Sequence, residues 1–164
     1  MLHARAMVTM RKQTVRIRTT QDVVTIRKLV WDWSRACGHR LIDQTKLTTA
    51  ASEIARNTLR YGGGGTLSLE TLQQGSSSAL RLEFHDRGPG IPDLEQALRD
   101  GFSTGGGLGL GLGGARRLVN DFSIESSVGL GTRVTLTHWK DGLPSFKFGN
   151  TDDHSIRQPR ASSR

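Results

Sequence analysis

Ten of the chain's 20 glycines fall within residues 86–114, DRGPGIPDLEQALRDGFSTGGGLGLGLGG. A stretch like this makes a poor central strand or core helix, because each glycine adds to the entropy lost when the backbone is ordered. It suits a place where the chain turns sharply or where backbone must come close to a ligand. The flanking elements must then build the core, and the stretch must border something those elements hold. Asp86 opens it and a Gly/Leu alternation closes it.

The flanks carry clear periodicities. Val15 and Ile17 alternate with charged neighbours and predict a short strand. Thr20 and Asp22 are N-cap candidates for a helix in which Val23, Ile26, Val30, Trp33 and Cys37 recur at helical spacing, and Gly38 ends it. A second helix is expected from near Asp43, with a stripe of Leu47, Ala50, Ile54 and Thr58 widened by Ala51 and Ala55, ending before Gly62. Leu67 and Leu69 mark one strand, and Leu80, Leu82 and Phe84 the next, across a polar connection at residues 73–78. After the glycine-rich stretch, ARRLVNDF predicts a helix, and FSIESS and TRVTLTHW predict two strands joined by a turn at residues 128–131. The order predicts an α/β (α+β) two-layer sandwich, with a mixed, mostly antiparallel sheet and helices on one face. Residues 14–139 form the expected single domain. Residues 1–13 read as a flexible leader and 140–164 as a flexible tail.

Net charge is +8, which raises the question of nucleic acid. Residues 1–18 hold five basic side chains and no acid, and residues 140–164 hold five basic and three acidic ones, so the two ends supply +7 of the +8. The body is nearly neutral, and aromatic content is 5%, too little for an evident base-stacking platform. Nucleic acid is therefore not expected as the main partner. No run of about 18 apolar residues predicts a membrane span, and the N-terminus lacks the apolar centre of a secretory signal. A cytoplasmic location is the default expectation. The single cysteine, Cys37, lies on an apolar helical face and reads as core, and the five histidines show no metal-ligand spacing.

Four features could carry chemistry. Glu53 and Asn57 lie four apart on one side of the second helix, at the edge of its apolar stripe. A carboxylate there could take a proton from a nucleophile, and an amide oxygen suits a hard cation such as Mg²⁺. The same spacing also fits a solvated pair on an ordinary helix. Asp86, at a strand end before Gly88 and Gly90, could accept a hydrogen bond from an exocyclic amine, or could cap its own turn. Gly105, Gly107, Gly109 and Gly111, interleaved with Leu108 and Leu110, run into a helix and offer backbone N–H groups to phosphate. The leucines argue against a polar linker. Gly109, Gly111 and Gly114 satisfy the dinucleotide fingerprint G-x-G-x-x-G, but no strand precedes them, so that reading is rejected. Thr132, after a Gly-x-Gly turn, could bond a phosphate or serve simply as a strand residue.

Taken together, these pieces resemble the GHKL ATPases, the group of gyrase, heat-shock chaperone, histidine kinase and mismatch-repair ATP sites. EIARN at residues 53–57 resembles their N-box, DRGPG at 86–90 their first glycine box and GLGLG at 107–111 their second. Within that group, NTLRYGGGG and FSTGGGLGLGLGGARRLVNDFSIESSVGLGTRVT are similar to the anti-sigma regulatory factor branch, and most of all to the RsbT type of small serine/threonine switch kinases. The resemblance implies a Bergerat-type ATP-binding fold and an ATP- and Mg²⁺-dependent protein kinase of a bacterial partner-switching system. Its expected substrate is a serine or threonine of a STAS-domain antagonist protein, with a PP2C-type phosphatase or a sigma factor as further partners. Mainly sequestering a sigma subunit is the alternative activity. Residue by residue, the resemblance implies that Glu53 is the general base and Asn57 holds Mg²⁺ against the phosphates. Asp86 would bind the adenine amine, with Gly88 and Gly90 shaping the wall beneath the base. Gly105, Gly107, Leu108, Gly109, Leu110 and Gly111 would line the phosphates, and Thr132 would be a supporting contact.

Overall fold

The fold comes from a computed structural model in which residues 6–99, 111–142 and 155–157 are described. Strands β1 (Val8–Ile17), β2 (Gly65–Gln74), β3 (Ser77–Asp86), β4 (Asp121–Ser127), β5 (Gly131–Trp139) and β6 (Ser155–Arg157) form one sheet in the order β1-β2-β3-β5-β4-β6. The first five pair antiparallel, and β6 adds parallel to β4. Helices α1 (Thr20–Ala36) and α2 (Leu41–Arg60) precede β2, and the short α3 (Leu94–Ala97) and α4 (Gly111–Arg117) lie between β3 and β4.

Alternation along the strands puts Leu67 and Leu69 of β2, Leu80, Leu82 and Phe84 of β3, Phe122 and Ile124 of β4, and Val134 and Leu136 of β5 on one face. All are buried against Ile26, Val30 and Trp33 of α1 and Leu47, Ala50 and Ile54 of α2. Burying each large side chain there contributes about 1.5–3 kcal/mol. The opposite face carries ion pairs, with Lys12 on Glu70 at 2.7 Å and Arg133 facing Glu83 at 3.9 Å, and one small buried apolar cluster of Leu72, Ala79 and Trp139. This is the two-layer, one-sided sandwich that the alternating and helical periods predict.

Helix α1 begins one residue earlier than the cap candidates suggest. Thr19 is the N-cap, its hydroxyl accepting from Asp22 N–H at 3.2 Å, while Asp22 Oδ2 accepts from Thr19 N–H at 2.9 Å. The Arg18 N–H, donating to the same oxygen at 2.8 Å, and then the Thr19 N–H hold the Asp22 carboxyl below its ordinary range. At the other end Gly38 takes φ +88°, as the stop signal predicts. Cys37 is the C-cap and is only partly buried, so its assignment to the core is corrected. Helix α2 starts at Leu41, two residues before Asp43, and its apolar stripe is buried.

The two ends require larger corrections. The expected leader of residues 1–13 loses its second half to β1, which starts at Val8 and pairs with β2 as far as Gln73. Residues 8–14 of this edge strand are exposed, so no apolar alternation marks them; the ladder to β2, distant in sequence, sets their conformation. In the expected tail of 140–164, Ser155–Arg157 forms β6 on the free edge of β4. Its backbone pairing is likewise supplied from elsewhere in the chain. The helix expected over ARRLVNDF is shifted: α4 covers Gly111–Arg117 and Val119 fills the core from beyond its end.

Candidate functional site

Helix α2 and strand β3 run toward the same end of the molecule, and their last turns border one cavity of about 370 Å³. Asn57, Thr58, Tyr61 and Gly62 come from the end of α2, and Asp86 from the end of β3. Pro89, Gly90 and Ile91 line it from the segment after β3, Gly111 and Leu112 from α4, and Thr132 and Val134 from β5. Ile54, Val134 and Leu112 are buried and give it an apolar wall. A volume and lining of this kind, with few polar groups converging, is the usual form of a small-ligand site.

Asp86 is 8% exposed, and its Oδ1 accepts the Gly88 N–H at 2.9 Å. Two close backbone approaches hold it there. A side chain on Gly62 would run into Asp86 and into the Thr58 carbonyl oxygen at 2.6 Å, and one on Gly88 would lie 2.7 Å from Gly62 Cα. Gly62 and Gly88 thus pack on each other beside the acid, which only glycine permits. Gly90 takes φ +76° with its Cα against the Ser127 carbonyl, a position closed to other residues.

The sequence-predicted residues converge only in part. Asn57, Asp86, Gly90, Gly111 and Thr132 share the cavity. Gly88 supports it from behind. Glu53 lies one turn before Asn57 on α2, buried, and outside the cavity lining; its Oε1 is paired with Arg56 Nη1 at 2.6 Å. Gly105, Gly107, Leu108, Gly109 and Leu110 lie outside the described residues. Thr132 stands directly opposite Asp86 across the β3–β5 ladder, so it neighbours the acid.

Sequence reasoning missed two contributors. Gly62 reads only as a helix stop, although the GGGG run straight after the α2 stripe marks a place where the backbone must approach something closely. Ser126 carries no motif; its hydroxyl lies 2.9 Å from that of Thr132 and 2.8 Å from Ile91 N. At the far end of α2 a second polar cluster forms. His138 Nε2 sits 3.1 Å from Asp43 Oδ1, and His39 bridges Ser34 O and His138 O at 3.1 and 2.8 Å. Burial lowers the His138 pKa despite the opposing bond to Asp43. Burial pushes Asp43 up, but the bonds from His138 and Arg40 outweigh it and leave the carboxyl below its usual range.

Residues 42–142 match the family described as histidine kinase-, DNA gyrase B- and HSP90-like ATPases. The chain belongs to that family, and its fold is that of a GHKL ATPase domain. Within the family it is 42% identical over 125 residues to the serine/threonine-protein kinase RsbT of Bacillus subtilis (strain 168), a match covering 76% of this chain and 94% of that one. It is a member of that serine/threonine-protein kinase group. An anti-sigma F factor of Bacillus licheniformis is 32% identical over 100 residues, covering 57% of this chain and 67% of that one. Among solved structures, the RsbU and RsbW domains of a Mycobacterium tuberculosis protein match with a TM-score of 0.55 at 22% identity, covering 78% of this chain and 32% of that one. This last likeness concerns the fold alone. No helix among the described residues is long and apolar enough to cross a membrane.

Proposed function

We propose that this protein binds ATP with Mg²⁺ in the α2–β3 cavity and transfers the terminal phosphoryl group to a serine or threonine of a STAS-domain antagonist, within a partner switch that controls a sigma factor. The observation that carries the reading is the meeting of Asn57 and Asp86 on one apolar-walled cavity, brought from two elements far apart in sequence.

Asp86 has one carboxylate oxygen committed to Gly88 N–H, and the other can accept an adenine amine. Its neighbour across the ladder, Thr132, is read as a supporting contact beside the base, because it stands opposite Asp86. Asn57 offers one amide oxygen to a cation that takes its other ligands from phosphate and water, the habit of Mg²⁺. Bound Mg²⁺ would neutralise phosphate charge, and the protein would supply positioning. The glycines at 105, 107, 109 and 111, with Leu108 and Leu110, are read as the backbone facing the phosphates.

Glu53 accepts the proton of the attacking hydroxyl. Arg56 holds its Oε1 at 2.6 Å, and the second carboxylate oxygen takes the proton. Glu53→Gln is therefore expected to keep Mg-ATP affinity within about twofold while slowing phosphoryl transfer by about 10²–10⁴-fold. Asn57→Ala should lose Mg-ATP binding with its fold intact. Calorimetry and a single-turnover assay on both variants separate the roles, and transfer at the wild-type rate by Glu53→Gln would remove Glu53 from the chemistry. The similarity to an anti-sigma F factor favours direct binding of a sigma subunit as a second activity of the same chain, which co-purification from the host would detect.

A further inference from the structure

Three hydroxyl and carboxylate side chains stand in a row across the core face of the sheet at the cavity. Asp86 on β3 is paired with Thr132 on β5, and Thr132 is paired with Ser126 on β4. Ser126 is 4% exposed and makes three contacts: Ile91 N at 2.8 Å, Gly131 O at 3.1 Å and Thr132 Oγ1 at 2.9 Å. A serine hydroxyl has one proton and two lone pairs. The Ile91 N–H can only donate and the Gly131 carbonyl can only accept. One assignment satisfies all three contacts. Ser126 donates to Gly131 O, accepts from Ile91 N–H, and accepts from the hydroxyl of Thr132. The proton of Thr132 is then spent on Ser126, and its oxygen presents only lone pairs to the cavity.

We propose that Ser126 is a positioning residue that fixes the Thr132 hydroxyl as an acceptor, so that Asp86 and Thr132 together select a purine carrying an amine, and reject one carrying a carbonyl, at the same position. The inference rests on the nucleotide reading above and concerns how that site chooses its base. Two acceptors side by side welcome the amine of adenine, whereas the 6-oxo group of hypoxanthine would face lone pairs with no proton between. A freely rotating threonine could turn and donate to that oxo group, so the discrimination depends on the residue behind it. The same serine ties the Ile91 backbone to β4, which keeps the cavity wall in register with the acceptor pair.

The test compares ATP and ITP affinity by calorimetry in the full chain. The wild type should favour ATP. Ser126→Ala should narrow the ATP/ITP ratio by about tenfold, the size of one hydrogen bond switched between donor and acceptor. Ser126→Thr, which keeps the hydroxyl, should retain the ratio. Ser126→Cys, a weak donor and acceptor of similar shape, gives the same reading as alanine should the alanine variant fail to fold. Equal weakening of ATP and ITP in the alanine or cysteine variant, with the ratio unchanged, overturns the positioning role and leaves the nucleotide site standing. A wild-type chain that binds neither nucleotide overturns the nucleotide reading, and this inference with it.

Discussion

A methyl group at Gly62 would meet the Asp86 side chain and come 2.6 Å from the Thr58 carbonyl oxygen. That crowding makes a residue without a side chain one of the more demanding positions in the site. Gly62→Ala should destabilise the fold by about 1–3 kcal/mol through overpacking and weaken ATP binding by displacing the acid. Thermal unfolding and calorimetry measure both. Unchanged melting and unchanged affinity would mean that Asp86 is not held by this contact. The position shows how far single residues are legible. Asp86 is readable because a strand period ends on it and a glycine turn follows. Gly62 is readable only as the end of a helix, since the side chain that excludes a Cβ there comes from 24 residues further along the sequence.

At the scale of elements, α2 links two polar sites, with Asn57 in its last turns and Asp43 in its first. Asp43 and His138 join the start of α2 to the end of β5. Both groups have folded pKa values below their ordinary ones, so each contributes stability that is present above its unfolded pKa and lost as pH falls through the folded one. The loss should start for His138 as the pH drops below its ordinary 6.5, and for Asp43 only below 3.8. Asp43, His39 and Lys46 are the charged or titratable neighbours acting on His138. Melting temperature is thus expected to fall between pH 7 and pH 5, and His138→Gln should flatten that slope. An identical slope in the variant would place the dependence elsewhere. The helices and central strands were legible because burial imposes a period on each. The pairing of His138 with Asp43 was not, because it depends on the β5 register, and scattered histidines give no local signal. The start of β1 was hidden for a related reason: its exposed residues 8–14 show no alternation, and their order comes from β2.

Across the whole molecule, the one-sided sandwich gathers the ends of α2 and β3 and the start of β5 at a single edge, which Pro89, Gly90 and Ile91 after β3 and Gly111 and Leu112 of α4 border as well. The topology was legible from the order of periods. The convergence of Asn57, Asp86 and Thr132 followed from resemblance to a family, because no spacing in one sequence shows that residues 46 positions apart will share a cavity. Glu53 is the point of tension. It lies one turn before Asn57 and outside the cavity lining, with one carboxylate oxygen paired with Arg56, so its proposed role as base rests on the other oxygen. The most direct measurement is to incubate the protein with Mg²⁺, γ-labelled ATP and a cognate STAS-domain partner, and to identify the labelled residue. The account predicts label on a serine or threonine of the partner, abolished by Asn57→Ala. Full ATP binding with no label reaching the correct partner would contradict it.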